Sequence, residues 1–298
     1  MKVYIKNHES FAGHWIYNKG YASAWESKGY DVVLYNSLSE INDSDYYLMA
    51  IDGDVNLKNL NAIERAKKTF LYAQPNWFPQ PWGSHPNFVS LCSDETIKEI
   101  NSIDTCKLWS FADVKDYHNK WKQVDTILLA FDSINYKNIK IESPVYDVCF
   151  IGGWANNGFN EKKKIMLEHF SKLKESNLKC GIFINKNLTH EQENHVLCNS
   201  KVALNIHDAY QKTLGLDSNE RTFKSLGLTG ALVCDNIAQV KNEFDNVQFY
   251  NNSSEIIGCI NNFLQMSNKE LENIKEINKN FILNNHTYIS RVDALRNL

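Results

Sequence analysis

The stretch HDAYQKTLGLDSNERTFKSLGLTGALVCDN, residues 207–236, decides the fold of this chain because it contains a loop, a helix, a glycine and a buried strand in succession. We predict a helix at 218–229, with Gly230 ending it and allowing a tight entry into the apolar strand ALVCD at 231–235. Another apolar run, KVALNI at 201–206, comes just before the loop. Two buried strands joined by a helix are typical of a parallel sheet.

The second half of the chain repeats this alternation of short apolar runs and amphipathic stretches. The rhythm predicts one doubly wound Rossmann-type sheet, in which crossover helices cover both faces of parallel strands. We place the strands at 146–152, 179–184, 201–206, 231–235 and 247–250, and the helices at 160–175, 189–199, 218–229, 236–244 and 254–266.

The first half is less regular, but it also begins as a βαβ unit. It carries apolar strands at 2–5, 30–36, 46–52 and 69–73, a loop with Gly13 and His14, and a helix that ends near residue 28. The fold class is therefore α/β, with two Rossmann-like, doubly wound parallel-sheet domains. We predict an N-terminal domain at 1–140, a linker around 136–145, a C-terminal domain at 145–267, and helices at 268–298 that cross back to pack on the N-terminal domain.

Composition restricts the classes of partner. The 298 residues are 43% hydrophobic and carry a net charge of −3 with a pI near 6.3, so no overall positive field attracts nucleic acid or an anionic membrane. Any anion site must therefore be local. Seven cysteines form no C-x-x-C pair, the N-terminus lacks a signal-peptide pattern, and no 18-residue apolar stretch occurs. We expect a cytoplasmic protein without a membrane span.

The start of the helix in the opening stretch predicts such a local anion site. Asp217 and Glu220 have capping-box spacing, which places the first helical residue near 218 and leaves the N–H groups of the first turn free. Arg221 and Lys224 are one turn apart, so both side chains can converge on one phosphate group. The alternative is that Lys224 forms an i,i+4 surface pair with Glu220.

A second candidate is the glycine-rich segment FIGGWANNG at 150–158, directly after the first strand of the second half. It lacks G-x-G-x-x-G spacing. It is either a tight turn or a place where Gly152 and Gly153 let a ligand approach the backbone and Trp154 lies against that ligand. His207, at the end of a later strand, either lines the same site or satisfies backbone groups at the strand end.

Four segments occur in a specific order along the chain: YDVCFIGGW at 146–154, SKVALNIHDAY at 200–210, NERTFKSLGLTGALV at 219–233 and HTYISRV at 286–292. Together they resemble the glycosyltransferase-like family that includes the spore maturation protein CgeB, a branch of the GT-B superfamily. This resemblance implies two Rossmann-like domains facing a cleft, with a nucleotide-diphosphate sugar held by the C-terminal domain and the acceptor by the N-terminal one. It also implies a glycosyltransferase that uses no metal and no cofactor beyond its donor.

The family pattern N-x-R-T-F-E-A-L implies roles for residues of the helix. Asn219, Arg221, Thr222 and Phe223 match the pattern, and by resemblance Arg221 contacts the donor diphosphate. Lys224 stands where the family has a glutamate that holds the nucleotide ribose. We predict that Arg221 and Lys224 stabilise the departing diphosphate, and that the donor is bound by Gly152, Gly153, Trp154, His207, Asn219, Glu220, Thr222 and Phe223.

On the acceptor side, His14 follows the first strand and is the candidate acceptor base or sugar contact, although a histidine before a helix is as often structural. The loop QPNWFPQPWGSHPNF at 74–88 offers Trp77 and His85 for contacts with a sugar, or packs on itself as a proline-aromatic loop. The predicted function is transfer of a sugar from a nucleotide-diphosphate sugar to a hydroxyl acceptor, which is a glycan, a protein, a small molecule or modified DNA.

Three alternatives remain open from the sequence. Asp52-Gly53-Asp54, after an apolar strand, has the form of the metal-binding D-x-D of the other glycosyltransferase architecture, GT-A, which holds Mn²⁺ or Mg²⁺. Lys224 in place of an acid is compatible with a non-catalytic nucleotide-sugar-binding module. A phage-type glycosyltransferase acting on modified DNA bases is the third, although the acidic net charge does not favour it.

Overall fold

The computed structural model of the protein describes residues 1–9, 11–74, 92–112, 118–154, 161–208, 211–212 and 218–298. It divides into two compact units. Unit 1 comprises Met1–Leu128 and Tyr288–Leu298, and unit 2 comprises Leu129–Thr287. No helix in the described residues is long and apolar enough to cross a membrane.

The division between the units falls before the linker that the sequence predicted around 136–145. Residues that follow Leu128 already belong to unit 2, because Phe131 N donates a hydrogen bond of 2.8 Å to His286 O and Tyr136 Oη donates one of 2.5 Å to Glu193. This segment is therefore packed structure and not a free connection between domains.

Unit 1 contains a parallel six-stranded sheet. Its strands are β1 (Lys2–Lys6), β2 (Asp31–Tyr35), β3 (Tyr46–Ile51), β4 (Lys68–Tyr72), β5 (Cys106–Ser110) and β6 (Asp125–Thr126), in the order β2-β1-β3-β4-β5-β6. The four strands predicted in this half are confirmed, whereas β5 and β6 were not predicted.

The helices of the first 128 residues are short. They are α1 (Phe11–Gly13), a π-helical segment (His14–Tyr21), α2 (Ala22–Ser27), α3 (Leu60–Arg65) and α4 (Asp94–Ile100). His14 was expected on a loop, but it opens the π-helical segment. The helix starts earlier because the aromatic residues that follow are buried on its inner face, with Tyr21 and Trp25 fully enclosed.

Unit 2 contains a parallel five-stranded sheet. Its strands are β7 (Tyr146–Gly152), β8 (Cys180–Ile184), β9 (Ser200–Asn205), β10 (Leu232–Asp235) and β11 (Val247–Tyr250), in the order β11-β10-β9-β7-β8. Its helices are α5 (Glu161–Glu175), α6 (His190–Cys198), α7 (Glu220–Leu228), α8 (Ala238–Glu243), α9 (Ile256–Leu264) and α10 (Asn268–Asn285). Each strand and helix predicted at 146–266 is confirmed to within two residues at either end.

The strand order creates a switch point in unit 2. The chain runs from β7 outward to β8 on one side, then returns to build β9, β10 and β11 on the other side. In an open α/β sheet a crevice forms outside the carboxyl ends of the two strands at which the order reverses, which here are β7 and β9. Ligands of open α/β sheets bind at such crevices.

The last two helices belong to different units. Helix α11 (Tyr288–Asn297) is part of unit 1, where the Tyr288 ring packs edge-on against Tyr21 with centroids 5.0 Å apart. Helix α10 is part of unit 2, where Asn278 Nδ2 donates a 2.7 Å hydrogen bond to Gly230 O. The predicted crossing of all of 268–298 is thus corrected: α10 buries its apolar face, including Leu271 and Ile282, within unit 2.

Candidate functional site

Helix α7 begins at Glu220, so Arg221 lies in its first turn. Its N-cap is Asn219, whose backbone is extended and whose Oδ1 accepts a 3.2 Å hydrogen bond from Thr222 N. This corrects the predicted start near 218 and the predicted cap Asp217, which lies outside the described residues. The cap thus satisfies Thr222 N, one of the first-turn N–H groups that lack a partner within a helix.

Arg221 joins the two strands that flank the switch point. Its Nε donates a 2.5 Å hydrogen bond to Ile151 O on β7, while Nη1 donates to Asn205 Oδ1 at 3.0 Å and to Ile206 O at 3.3 Å, at the end of β9. The guanidinium carbon lies 4.9 Å from the centre of the Phe150 ring. Four fixed contacts therefore hold the cation where the strand order reverses.

No carboxylate of the described residues contacts Arg221 directly. Its hydrogen-bond partners among them are two carbonyls and one amide, and Nη2 has no acceptor there. Burial lowers the pKa of the guanidinium, and the carboxylates of Glu220 and Asp208 act in the opposite direction from a distance. Arginine remains charged in proteins, so Arg221 is a half-buried cation whose charge is not paired within the described residues.

The glycines after β7 make room for the protein's own side chains. A Cβ on Gly152 would overlap Nη2 of Arg221, and a Cβ on Gly153 would overlap Oδ1 of Asn185. We predicted that a ligand approaches the backbone here, and the structure instead places the guanidinium against it. Trp154 is half-buried, with Lys163 Nζ 5.6 Å from the centre of its ring.

Lys224 is committed to an internal ion pair. Its Nζ lies 2.6 Å from Glu193 Oε2, 3.3 Å from Glu220 Oε2 and 3.4 Å from Tyr136 Oη, and the residue is only 7% exposed. Burial lowers the pKa of Lys224, but the two carboxylates outweigh burial and raise it overall. The expectation that Lys224 converges with Arg221 on one phosphate is therefore corrected, because its charge is neutralised within unit 2.

His207 fixes the start of α7 to β10. Its Nδ1 lies 2.6 Å from Asp235 Oδ1, its backbone N donates a 2.8 Å bond to Asp235 Oδ2, and its Nε2 accepts a 3.3 Å bond from Asn219 N. The network assigns the ring proton to Nδ1. Both ring nitrogens of this fully buried side chain are used, so His207 positions the helix and does not line the donor site.

Thr222 and Phe223 are also structural. Thr222 Oγ1 accepts a 2.8 Å hydrogen bond from Asn205 Nδ2, and Phe223 packs edge-on against Phe244 with centroids 5.8 Å apart. Both residues are fully buried. The prediction that they contact the donor is corrected: both side chains pack beneath the site, because no part of either reaches the surface.

Two clusters with metal-binding residue types are explained by hydrogen bonds. In the described chain, His207, Cys234 and Asp235 form the one group with ligand atoms close enough for a metal, but both imidazole nitrogens are already engaged. Asp52, which is fully buried, accepts bonds of 2.9 and 2.7 Å from Gln74, while Asp54 pairs with Lys6 at 3.4 Å. The two aspartates thus have separate partners, unlike a D-x-D that shares one ion.

Sequence reasoning missed a second cation at the switch point. Lys162, in the first turn of α5, lies with Nζ 3.0 Å from Oδ1 of Asp208, which follows β9. Burial lowers the pKa of Lys162, Asp208 raises it, and the positive charge of Arg221 lowers it. The two cations are therefore close enough to repel each other. The run EKKK after the glycine-rich segment was the available signal, since a helix that follows the first strand begins at the same sheet edge.

The predicted acceptor residues lie in unit 1 or outside the described residues. His14 is half-buried, and its Nδ1 lies 3.2 Å from Asn18 Nδ2. Asn18 Nδ2 also donates a 2.7 Å bond to Asn7 Oδ1 and a 3.2 Å bond to His8 O. Asn18 therefore ties the π-helical segment to the residues that follow β1. Trp77 and His85 fall outside the described residues.

The architecture of two doubly wound parallel sheets is shared with solved glycosyltransferases. T4 phage BGT, in complex with UDP and Mn²⁺, matches with a TM-score of 0.57 and 13% identity over 100% of this chain and 98% of that one. An alpha-glucosyltransferase in complex with UDP and a 13-mer DNA matches with a TM-score of 0.55 and 11% identity, with the same coverage. TarM of S. aureus, in a complex that includes UDP, matches with a TM-score of 0.53 and 10% identity over 93% of this chain and 57% of that one.

These likenesses show a fold of the GT-B type, and the sequence then specifies the family. The Glycosyl transferase-like family matches residues 149–297, half of the chain, and the chain belongs to this family. No curated protein sequence matches the chain significantly. The predictions of a two-domain α/β fold and of glycosyltransferase activity are thereby confirmed.

Proposed function

We propose that unit 2 binds the diphosphate of a nucleotide-diphosphate sugar at the switch point between β7 and β9. The observation that carries this proposal is Arg221, a half-buried cation without a carboxylate contact among the described residues, fixed where α/β sheets bind ligands. A desolvated charge is costly unless an opposite charge meets it. A diphosphate oxygen supplies that charge by accepting from the N–H groups of Arg221 that have no acceptor among the described residues.

The chemistry of transfer explains why a preorganised cation is needed. As the bond between the sugar and the diphosphate breaks, its electron pair goes to the diphosphate oxygen, and the acceptor hydroxyl forms the new bond and releases its proton. Arg221 stabilises the growing negative charge without moving, because Ile151, Asn205 and Ile206 already hold it. The N–H groups in the first turn of α7 add to the same field.

Two other residues that were predicted to bind the donor, Asn219 and His207, hold the helix start that carries Arg221. Asn219 caps the helix and exchanges side-chain bonds of 2.9 and 3.1 Å with Asn205, and His207 ties the same cap to Asp235. We propose that these residues position the helix start while Arg221 touches the donor. We also propose that catalysis needs no divalent metal, because a fixed guanidinium and helix-end amides supply the positive charge at the leaving group.

We propose His14 as a contact to the acceptor or the sugar. The alternative role is that of the acceptor base, as the sequence also predicted. Its place after β1, at the carboxyl end of a strand of the unit 1 sheet, supports both roles. A base takes the proton that the acceptor hydroxyl releases, whereas a contact residue holds a hydroxyl by a hydrogen bond.

A modified DNA base is a specific candidate for the acceptor. The observation that favours it is the length of the match, since T4 phage beta-glucosyltransferase, a DNA-modifying enzyme, is covered over 98% of its chain. The net charge of −3 opposes it. We further propose that the chain groups with the CgeB-like branch, on the motifs quoted above, and acts in the cytoplasm, where its seven free cysteines stay reduced.

The test of donor binding is a thermal-shift panel of UDP, GDP, ADP and dTDP with their common sugar conjugates. A ligand that binds only the folded state raises Tm, by an amount that grows with concentration above Kd. We expect one nucleotide to raise Tm and its sugar conjugate to do the same. Absence of any shift across the panel at millimolar concentration would contradict the proposed donor site.

The class of acceptor is then tested by measuring sugar transfer from the donor that this panel identifies to a set of acceptors. The acceptors are a duplex with hydroxymethylated pyrimidines, the same duplex without the hydroxymethyl groups, and mixtures of glycans and polyol phosphates. Transfer to the hydroxymethylated duplex alone establishes the DNA candidate. Transfer to a glycan or polyol, with none to either duplex, rejects it.

A further inference from the structure

The pair formed by Lys162 and Asp208 connects the start of α5 to the segment that follows β9. Lys162 stands in the first turn of α5, and Asp208 stands three residues beyond Asn205, the last residue of β9. Their charged atoms are 3.0 Å apart, and the side chains are 13% and 25% exposed. The contact therefore crosses the switch point at the level of the Arg221 side chain.

Asp208 acts electrostatically on both cations of the crevice. Burial lowers the pKa of Lys162, Asp208 raises it and Arg221 lowers it. Asp208 likewise raises the pKa of Arg221, after the larger effects of burial and Glu220, and Glu193 and Asp235 act in the same direction. Among the described residues, Asp208 is the carboxylate that touches Lys162.

We propose that Lys162 is the second cation of the diphosphate site. In the ligand-free protein the carboxylate of Asp208 binds the ammonium of Lys162, and the diphosphate displaces this carboxylate when it binds. This inference rests on the proposed donor site. It gives Asp208 a role as an internal competitor: its single negative charge holds the ammonium in place, and a diphosphate, with more charge and more oxygens, takes the same donors. The exchange breaks no covalent bond.

Lys224 does not compete for this role. Its ammonium touches two carboxylates and a tyrosine hydroxyl beneath the surface, whereas the ammonium of Lys162 touches one carboxylate among the described residues, that of the partly exposed Asp208. A cation that is released by moving one loop carboxylate is available to a ligand. A cation that is enclosed with two carboxylates is not.

A matched pair at the opposite end of the same strands serves as the control. Lys201 on β9 lies 2.8 Å from Asp147 on β7, at the amino end of the sheet. If an ion pair between these strands mattered only for stability, the two pairs would behave alike when they are removed. If Lys162 and Asp208 act on a diphosphate, only their removal changes nucleotide binding.

Isothermal titration of UDP, GDP, ADP and dTDP into six proteins tests the proposal. The proteins are the wild type, Lys162→Met, Asp208→Asn, the double variant, Lys201→Met and Asp147→Asn. We expect Kd to rise about tenfold or more for Lys162→Met, since a charge-assisted bond to the ligand is lost. We expect Kd to fall about threefold or more for Asp208→Asn, because no carboxylate then competes. Both control variants should stay within about twofold of the wild type.

The double variant distinguishes displacement from a general field effect. If Asp208 acts by occupying Lys162, its replacement brings no gain once Lys162 is Met, and the double variant binds like Lys162→Met. Equal gains in both backgrounds, or weaker binding by Asp208→Asn, overturn the inference. Should Lys162→Met fail to fold, Lys162→Gln takes its place in the single and the double variant. A wild type that binds none of the four nucleotides overturns the proposed function itself.

Discussion

The guanidinium of Arg221 lies against the backbone of Gly152, at a position where a single methyl group would overlap Nη2. This contact lets Nε reach the carbonyl of Ile151 at 2.5 Å while Nη1 reaches the end of β9. The glycine and the arginine are 69 positions apart in sequence and act as one unit. The glycine supplies the space, and the arginine supplies the charge.

Replacing Gly152 with Ala should weaken nucleotide binding without removing a charge. The added Cβ displaces the guanidinium from its three acceptors, so we expect Kd to rise about tenfold, equivalent to about 1.4 kcal/mol. Overpacking should also lower stability by about 1–3 kcal/mol. Titration well below Tm separates the two effects. Gly258→Ala, which meets no neighbouring atom within 4 Å, is the matched control and should bind normally.

Replacing Lys224 with Met should reduce stability and leave binding nearly intact. The change leaves the buried carboxylate of Glu193 without its cation, and breaking a buried pair costs about 3–5 kcal/mol. Adding Glu193→Gln should restore part of the loss. Urea unfolding measures this, and Lys172→Met, in the exposed pair with Glu175, should change stability by less than about 1 kcal/mol. A tenfold loss of nucleotide affinity in folded Lys224→Met would instead return Lys224 to the donor site.

The free energy of unfolding should decrease as pH rises, because of Asp52. Burial raises the pKa of this carboxyl from its ordinary value of 3.8 to about 7. Between those values the folded state holds a proton that the unfolded state has lost, so the free energy of unfolding decreases as pH rises and levels off above about 7. One such proton contributes up to about 1.4 kcal/mol per pH unit. Asp52→Asn should remove this slope, and parallel pH profiles for the two proteins would contradict the assignment.

Removal of divalent metals should leave transfer unaffected. Asp52 and Asp54 have separate partners, and both imidazole nitrogens of His207 are engaged, so neither cluster is arranged to hold an ion on the diphosphate. Initial rates with an excess of EDTA should stay within about twofold of the rates with added Mn²⁺ or Mg²⁺. Loss of turnover in EDTA that Mn²⁺ restores would show that a metal supplies part of the charge.

Periodicity was sufficient to predict the sheet of unit 2, because each of its strands is a continuous apolar run bounded by polar or glycine residues. The position of Arg221 at the carboxyl end of that sheet followed from the same pattern. The partners of each cation did not follow, since they come from distant segments. Lys224 and Glu220 have the spacing of a surface pair, yet Glu193 from α6 encloses them.

Burial also separated residues that the family motif groups together. Within Asn219–Phe223 the side chains point in turn to the sheet edge, the crevice and the core, as helical geometry requires. The motif therefore combines a cap, a cation and two packing residues. Sequence alone gives the spacing of such a set, and the sheet beneath it decides which member remains accessible.

The most direct measurement is the affinity of Arg221→Ala for the nucleoside diphosphate that binds the wild type, by isothermal titration. The exposed Arg65→Ala is the control for loss of one positive charge. The account predicts a loss of about 2–4 kcal/mol of binding free energy for Arg221→Ala and an unchanged Kd for Arg65→Ala. A folded Arg221→Ala protein that binds the nucleotide within twofold of the wild type would contradict it.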